Sequence, residues 1–204
     1  MRETLRFIGK CPFAARFYLA GGTGLALRLG HRRSVDLDFF SEADEVTRRT
    51  RREILRALAP LTPQTLEDTE GNLLLQAQGL HVGFFGYGYP LIATAESADG
   101  VAVAGLADIG LMKLDALISR GSRKDFYDLH ATARQIPLAE LLRLGPVKYP
   151  HARDFEVMAV ESLVLFDNAD RDADPELLAP VSWNEVKEFF IAEARVLARE
   201  WFES

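Results

Sequence analysis

The sequence predicts an α/β (α+β) protein: a mixed sheet with flanking helices over residues 1–106, followed by a helical lobe over residues 107–204. Short apolar runs separated by glycine, proline and asparagine turns dominate the first part, as is typical of strands. Longer segments with apolar residues three and four positions apart dominate the second part, as is typical of helices. A strand–helix–strand pattern between Phe17 and Glu42 carries the polar residues on which a functional interpretation depends.

The stretch from residue 17 to residue 42 reads FYLAGGTGLALRLGHRRSVDLDFFSE. A strand is predicted for Phe17 to Ala20 and a second strand for Val35 to Phe40. Between them a glycine turn precedes a short helix over Leu25 to Leu29, which Gly30 ends.

Two acids occupy alternate positions in the second strand. Because side chains alternate across a strand, Asp36 and Asp38 share one face, whereas Val35, Leu37 and Phe39 share the other. Aspartate is a poor strand former and two adjacent carboxylates repel each other, so folding alone does not favour this arrangement. A divalent cation accounts for it, since Mg²⁺ takes one or two carboxylates together with water and substrate phosphates. We therefore expect Asp36 and Asp38 to bind Mg²⁺, with Mn²⁺ as an alternative ion.

The glycine turn is suited to phosphate. Gly21 and Gly22 allow close approach of the backbone, and a helix N-terminus offers free N–H groups and a positive dipole end. The Thr23 hydroxyl adds a further donor. The alternative interpretation is a tight turn beside an exposed strand with two solvated acids. The glycine turn and the acid pair together, at this spacing, favour a site for a metal-bound nucleoside triphosphate (NTP).

The second part of the chain offers cations for the same ligand. A helix over Ile109 to Ser119, capped by Asp108, would carry Lys113, and Arg120 follows it seven residues later. Seven residues are two helical turns, so both cations share one face and could hold a triphosphate or leaving pyrophosphate. The alternative is that both are ordinary surface residues.

These motifs resemble those of a known family. The pattern of Gly21, Gly22 and Thr23 followed by Asp36-Leu37-Asp38 resembles the signature of the nucleotidyltransferase superfamily. The fuller string LAGGTGLALRLGHRRSVDLDFF resembles the AbiEii/AbiGii toxin family, including the MenA-type toxins. Two further family blocks, K-x-D-x-x-x-x-R/K and K-D-x-x-D-L, are matched by Lys113, Asp115, Arg120, Lys124, Asp125, Asp128 and Leu129.

The resemblance implies a nucleotidyltransferase-like sheet and a helical lobe that completes the active site. It implies transfer of a nucleoside monophosphate (NMP) from an NTP to an acceptor hydroxyl, most plausibly the 3′ end of tRNA. It also implies a toxin with a separate antitoxin protein. Lys113 and Asp125 would then join Asp36 and Asp38 as catalytic residues.

Two roles for Lys124 and Asp125 stay open at this stage. By resemblance, they close over the nucleotide or position the acceptor hydroxyl. By local sequence, Ser122 to Asp125 is a capping-box-like helix start, and Lys124 could simply pair with Asp128 four residues later.

Arginines supply further candidate contacts. Arg32, in the loop before the acid-bearing strand, could contact phosphate. A helix predicted over Glu42 to Ala59, with Ser41 as its N-cap, presents a set of arginines that could dock an RNA or could form a solvated face: Arg48, Arg49, Arg51 and Arg52.

A third metal-binding carboxylate, which many nucleotidyltransferases carry on a later strand, has no clear counterpart. Strands are predicted for Thr65 to Glu67, Asn72 to Gln76 and His81 to Phe85, and the last of these contains no acid. The nearest candidates are Glu67, Asp68 and Glu70. This gap motivates one alternative, a nucleotidyltransferase fold that binds a nucleotide or partner without catalysis. A separate alternative is an enzyme that modifies a protein hydroxyl instead of RNA.

Composition narrows the setting. The chain has 204 residues and is 48% hydrophobic, enough for a proper core in one domain or two small lobes. The single cysteine, Cys11, and the lack of an apolar signal or membrane segment predict a cytoplasmic protein. The net charge of −6 argues against non-specific coating of nucleic acid.

Three helical segments are predicted after Pro137. The first covers Leu138 to Leu144 and ends at a Gly145-Pro146 break, and the second runs from about Ala152 to Phe166. The last begins at Ser182, where Glu185 completes a capping box.

Overall fold

The computed structural model describes residues 1–202, and the side chains of residues 1–200. The chain divides into two compact units. Unit 1 contains Met1–Leu27 and Ser34–Gly105, and unit 2 contains Arg28–Arg33 and the chain from Leu106 onward. The short segment Arg28–Arg33 therefore groups with the second unit, a discontinuity that the predicted division at residue 106 did not contain.

Unit 1 is built on one mixed sheet, as predicted. Within the described residues it has seven strands: β1 (Tyr18–Leu19), β2 (Asp36–Ser41), β3 (Gln64–Thr69), β4 (Asn72–Ala77), β5 (Leu80–Gly86), β6 (Glu96–Ala98) and β7 (Val101–Val103). Their order is β3-β4-β5-β2-β1-β7-β6. The β2–β5 and β1–β7 pairs are parallel and the others are antiparallel.

One face of this sheet forms the core of unit 1. Leu37 and Phe39 of β2 are buried there with Phe84 of β5, and the rings of Phe39 and Phe84 stack 5.2 Å apart. The same cluster contains Ile8 and Ile54 from two helices. Burying a side chain of this size contributes roughly 1.5–3 kcal/mol, so this face fixes the register of the strands.

Three α-helices belong wholly or partly to unit 1: α1 (Arg2–Gly9), α2 (Gly21–Leu29) and α3 (Arg48–Leu58). Prediction of α3 from Glu42 with Ser41 as N-cap was wrong, because Ser41 ends β2 and its hydroxyl donates to the carbonyl of Arg16. Asp44 accepts the N–H of Val46, which has a left-handed φ of 50°. This side-chain turn delays the helix to Arg48.

Unit 2 consists mainly of helices. Within the described residues these are α4 (Leu106–Ser119), α5 (Arg123–Ala133), α6 (Leu138–Lys148), α7 (Phe155–Ser162) and α8 (Trp183–Phe202). Two predictions were wrong here. Asp108 lies inside α4 rather than capping it, and it is fully buried against the ammonium of Lys148 at 2.8 Å. The helix α6 continues through Gly145 and Pro146 instead of breaking.

The start of α8 was predicted correctly. Ser182 and Glu185 form the reciprocal bonds of a capping box: the Ser182 N–H donates to the Glu185 carboxylate at 2.7 Å, and the Glu185 N–H donates to the Ser182 hydroxyl. Among the described residues, no helix combines the length and apolar composition that crossing a bilayer requires.

Candidate active site

Asp36 and Asp38 lie on one face of β2, as predicted. Both are half-buried, whereas Leu37 and Phe39 between and after them are buried in the core on the other face. Val35, which was expected on the apolar face, precedes the strand and is 62% exposed. The two carboxylates therefore project from the sheet face opposite the core of unit 1.

Glycine makes room for Asp38. Gly21 has a φ of +60°, which side-chain-bearing residues rarely adopt, and a Cβ on it would stand 2.5 Å from the Asp38 Oδ2 atom. The Ala20 N–H donates to the Asp38 carbonyl at 3.0 Å, which holds the glycine turn against the strand. Glycine is thus needed at position 21 for two reasons: the positive φ of the turn and the close approach of the Asp38 carboxylate.

The neighbouring strand β5 presents His81 and Gly83 to the two acids. The strand register pairs Asp36 with His81 and Asp38 with Gly83. His81 Nδ1 lies 3.2 Å from Asp36 Oδ1, and both side chains are partly exposed. His81 was not predicted as a site residue, because its pairing with Asp36 depends on a strand register that one sequence does not reveal.

Among the described residues, none of the three candidate acids joins the pair as a third carboxylate. Asp68 and Glu70, two of the predicted candidates, instead accept hydrogen bonds from Arg51, and Glu67 is exposed on β3. Within the residues that the structure describes, no group of three or more His, Cys, Asp or Glu side chains is placed to hold a metal ion. The site therefore offers two carboxylates on an accessible surface, a set compatible with Mg²⁺ when phosphates and water supply the other ligands.

The glycine turn is itself the first turn of α2, which begins at Gly21 rather than at Leu25. The main-chain N–H groups of the first helical turn have no partner within the helix, so the Gly21–Thr23 segment keeps the anion-binding property on which the prediction rested. The Thr23 side chain differs from expectation: it is buried, and its hydroxyl donates to the carbonyl of Asp36. This bond ties α2 to the acid-bearing strand.

Unit 2 contains a buried charge cluster formed by His31, Arg32, Lys113, Asp125 and Asp128. Its centre is Asp128, which has no exposed surface. Arg32 donates to both carboxylate oxygens of Asp128, at 2.6 and 2.8 Å. His31 Nε2 lies 2.6 Å from the same carboxylate, and Lys113 Nζ lies 2.7 Å from it.

This cluster gives three predicted site residues a structural role. Arg32 is only 6% exposed, and Lys113 only 4%. Asp125 is fully buried and accepts hydrogen bonds from Lys113 at 2.9 Å, from Arg120 and from Ser122. All three are buried and already paired within the cluster, and direct contact of Arg32, Lys113 and Asp125 with a nucleotide stays a prediction.

The electrostatics of the cluster keep both acids ionised. Burial disfavours the charged form of Asp128, but Lys113, Arg32 and His31 outweigh it and hold the pKa of Asp128 far below its usual range. Burial likewise opposes ionisation of Asp125, but Arg120, Lys113 and Ser122 lower its pKa. In turn, the two carboxylates outweigh the burial of Lys113 and raise the pKa of its ammonium group.

Arg120 and Lys124 remain accessible. The Arg120 side chain is 55% exposed although it donates to Asp125 at 2.7 and 2.9 Å, and Lys124 is exposed at the start of α5. Both line a pocket of unit 2 together with Ser122 and Asp172. Lys124 does not pair with Asp128, whose carboxylate is occupied by the buried charge cluster.

One of the four arginines predicted to form a surface on α3 is buried. Arg51 is 7% exposed, and it donates to Asp68, to Glu70 and to the carbonyl of Val46. Arg48, Arg49 and Arg52 are exposed. However, α3 packs with Ile54 into the core, on the sheet face opposite Asp36 and Asp38.

The fold is shared with solved nucleotidyltransferases. The chain is similar in structure to MenT4, a nucleotidyltransferase toxin of Mycobacterium tuberculosis H37Rv, with a TM-score of 0.61 and 18% identity over 97% of this chain and 84% of MenT4. It is also similar to JHP933 of Helicobacter pylori, with a TM-score of 0.53 and 16% identity over 99% of this chain and 92% of that protein. Identities this low show the fold alone.

Sequence comparison gives the family. Residues 5–98 match the family described as "Nucleotidyl transferase AbiEii toxin, Type IV TA system". Protein aq_aa25 of Aquifex aeolicus (strain VF5) is 38% identical over 194 residues, which are 93% of this chain and 91% of that protein. The chain belongs to the AbiEii nucleotidyltransferase family. It is therefore a transferase of NMP groups, and the family implies an NTP donor and a cognate antitoxin.

Proposed function

We propose that the protein transfers an NMP from an NTP to a hydroxyl of RNA, at the 3′ end of tRNA, in a reaction that depends on Mg²⁺. The observation that carries the proposal is the half-buried acid pair, Asp36 and Asp38, on the sheet face opposite the core. Two adjacent carboxylates repel each other, whereas metal-dependent phosphoryl chemistry uses such a pair to hold the cation.

The residues present fit a divalent cation. Asp36 and Asp38 would hold it through carboxylate oxygens, and the missing Cβ of Gly21 leaves space at Asp38 Oδ2. When bound, Mg²⁺ or Mn²⁺ would supply positive charge against the phosphates of the donor. His81, at 3.2 Å from Asp36 Oδ1, would orient that carboxylate rather than serve as a ligand.

The chain's own donors would bind and orient the phosphates. The free N–H groups at the start of α2, over Gly21, Gly22 and Thr23, are the strongest candidates because the helix dipole adds to them. In unit 2, the accessible cations Arg120 and Lys124 are the remaining candidates for phosphate contact. We assign Lys113, Asp125 and Arg32 to holding that unit together.

The proposed acceptor and biological role are supported by similarity to known proteins. Membership of the AbiEii family and the fold shared with the toxin MenT4 support a toxin that acts together with an antitoxin. Arg48, Arg49 and Arg52 are exposed but lie on a helix that covers the other sheet face, so they are weak candidates for holding RNA at the acids.

Transfer can be tested directly. The purified protein would be incubated with each labelled NTP, Mg²⁺ and either total tRNA, other RNA or a protein extract. We expect label on tRNA with the wild type and none with Asp38→Asn. Label on protein alone would replace RNA by a protein hydroxyl as the acceptor. Tight Mg²⁺-dependent NTP binding without any transfer would overturn the proposal.

A further inference from the structure

We propose that the solvent-facing side of α3 binds the phosphate backbone of the acceptor RNA, at a distance from the end that reacts. We call this side the arginine face and define it by Arg48, Arg49, Arg52 and Arg56. The inference rests on the proposed function, because it names the part of the RNA that a second surface of unit 1 would hold.

The arginine face is the side of α3 that points away from the core. Successive residues of an α-helix are rotated by about 100°, so its four positions fall within one arc of about 100°. All four side chains are exposed, whereas Thr50, Ile54 and Leu58 on the other side are buried. The row from Arg48 to Arg56 extends about 12 Å along the helix axis. The outward side of α3 is therefore a continuous stripe of guanidinium groups.

The arginine face carries charge that the described part of the chain does not pair. Among the described residues, none of its four arginines forms an ion pair, whereas Arg16 of the same unit pairs with Asp44 and Glu53. Glu53 is the only acid of α3, and Arg16 occupies it at 2.7 Å. The face is therefore a patch of uncompensated positive charge on a chain whose net charge is −6.

Folding does not account for this arrangement. Arg48 and Arg49 lie in the first turn of α3, at the positive end of the helix dipole, where cations are disfavoured and where this helix has no acid. Arg52 lies four residues from both Arg48 and Arg56, and like charges at this spacing weaken a helix further. A bound polyanion would remove both penalties.

The chemistry of the face favours phosphates over other anionic partners. Guanidinium groups donate two parallel hydrogen bonds to phosphate oxygens, and a stripe of arginines along one helix is typical of nucleic-acid-binding surfaces. The apolar residues of α3 turn inward: Ile54 and Leu58 are buried, and Leu55 packs against the core. Among the described residues, no exposed large apolar side chain lies on α3. A protein interface would need such side chains at its centre, and a membrane-bound helix would need them along one side.

The arginine face and the acid pair lie on opposite sides of the sheet. The helix α3 packs on the face that carries Leu37 and Phe39, whereas Asp36 and Asp38 project from the other face. The arginines would therefore contribute to the affinity for RNA and not to the reaction itself. Only an RNA that extends around the edge of the sheet contacts both places, so this surface favours a long acceptor such as tRNA over a short oligonucleotide.

Salt-dependent binding tests the inference without NTP or Mg²⁺. We would measure the affinity of fluorescent tRNA for the wild type and for Arg52→Gln combined with Arg56→Gln at several salt concentrations. Each lost phosphate contact lowers the slope of log affinity against log salt by about 0.7–0.9, so this double variant should lose about 1.5 of slope and bind at least about tenfold more weakly at low salt. The matched control, Arg195→Gln combined with Arg199→Gln, removes two exposed arginines at the same spacing from α8 and should leave the slope unchanged.

Four results would overturn the inference. The first is an equal loss of slope in the two double variants, which would assign the attraction to overall charge. The second is the wild-type slope in the α3 variant while circular dichroism shows that it is folded. The third is failure of the wild type to bind tRNA at low salt. The fourth is displacement of tRNA by poly-glutamate at an equal concentration of charge, which would assign the face to an acidic protein.

The assay distinguishes failure of this inference from failure of the proposed reaction. A protein that binds tRNA through the arginine face but transfers no NMP would refute the proposed reaction alone. A protein that labels tRNA equally well with and without Arg52 and Arg56, and binds it with the same slope, would refute the arginine face alone.

Discussion

The molecule contains two pairs of closely spaced aspartates, and their surroundings are opposite. Asp36 and Asp38 are half-buried, and the protein partner found at Asp36 is the partly exposed His81. Asp125 and Asp128 are fully buried and are surrounded by lysine, arginine, histidine and serine donors. One pair lies partly exposed on a strand face, and the other is neutralised by internal cations. Burial and the nature of the surrounding side chains distinguish the two pairs.

The largest loss of stability is expected at Asp128. Asp128→Ala would leave Arg32 and Lys113 buried without their common counter-charge, and we expect the free energy of unfolding to fall by about 3–5 kcal/mol. Urea unfolding followed by circular dichroism measures it. Asp115→Ala, at an exposed aspartate on α4, is the control and should change stability by less than about 0.5 kcal/mol. Equal effects of the two substitutions would contradict the assigned role of Asp128.

Acid should remove the same stabilisation. The pKa values of Asp125 and Asp128 are lowered in the folded protein, so below about pH 4 the unfolded chain takes up protons that the folded protein does not. The free energy of unfolding should therefore decline as pH falls from about 4 downward. In Asp128→Asn the slope of this decline should be smaller. An identical slope in the wild type and the variant would exclude Asp128 as its source.

The accessible pair should show the reverse pattern, with a catalytic loss and little change in stability. Asp38→Asn removes a proposed metal ligand, and we expect the rate of NMP transfer to fall at least about a hundredfold, since loss of groups that only orient a metal ligand costs about tenfold to a hundredfold. Relief of carboxylate repulsion should leave the unfolding midpoint unchanged or raise it slightly. Glu67→Gln, at an exposed acid of β3, should retain full activity.

Two glycines have the same backbone conformation but different surroundings. Gly21 and Gly30 have φ values of +60° and +59°, so alanine should cost each about 1 kcal/mol of stability. Only at Gly21 would the new Cβ meet Asp38 Oδ2, at 2.5 Å, while at Gly30 it meets nothing within 4 Å. Gly21→Ala should therefore slow transfer on the order of tenfold to a hundredfold, and Gly30→Ala should not. Equal rates in the two variants would show that Asp38 tolerates displacement.

The smallest effect is expected at His81. Its contact with Asp36 joins two side chains that are 53% and 37% exposed, and such exposed pairs contribute only about 0–1 kcal/mol. His81→Asn should therefore change the transfer rate less than about fivefold and leave Mg²⁺-dependent NTP binding in place, as judged by calorimetry. A loss as large as that of Asp38→Asn would make His81 a metal ligand.

Local patterns predicted the sheet and the shared face of the two acids well. Alternation along β2 predicted that Asp36 and Asp38 share a face, and a similar alternation predicted β4 and β5. The turn at Gly21 was found from glycine alone. These features follow from interactions between residues close in sequence, which one sequence contains.

What failed to be predicted depends on contacts distant in sequence. Lys113 and Arg120 were predicted to share one helical face and hold a triphosphate, a role that stays a prediction; in the structure both donate to Asp125. Arg32 meets Asp128 across 96 residues, and no periodicity indicates such a pair. Arg51 turned inward for the same reason, because Asp68 approaches α3 only in the folded sheet.

The boundary inside α2 limits how this protein can be divided or recombined. Leu27 and Arg28 are consecutive residues of one helix, yet they belong to different compact units. A fragment beginning at Leu106 would retain Asp128 and Lys113 but would lack His31 and Arg32. Neither half is therefore an interchangeable module, and gene fusions, split reporters or shuffled chimaeras should keep the hexapeptide Arg28–Arg33 from the same parent as the helices that follow.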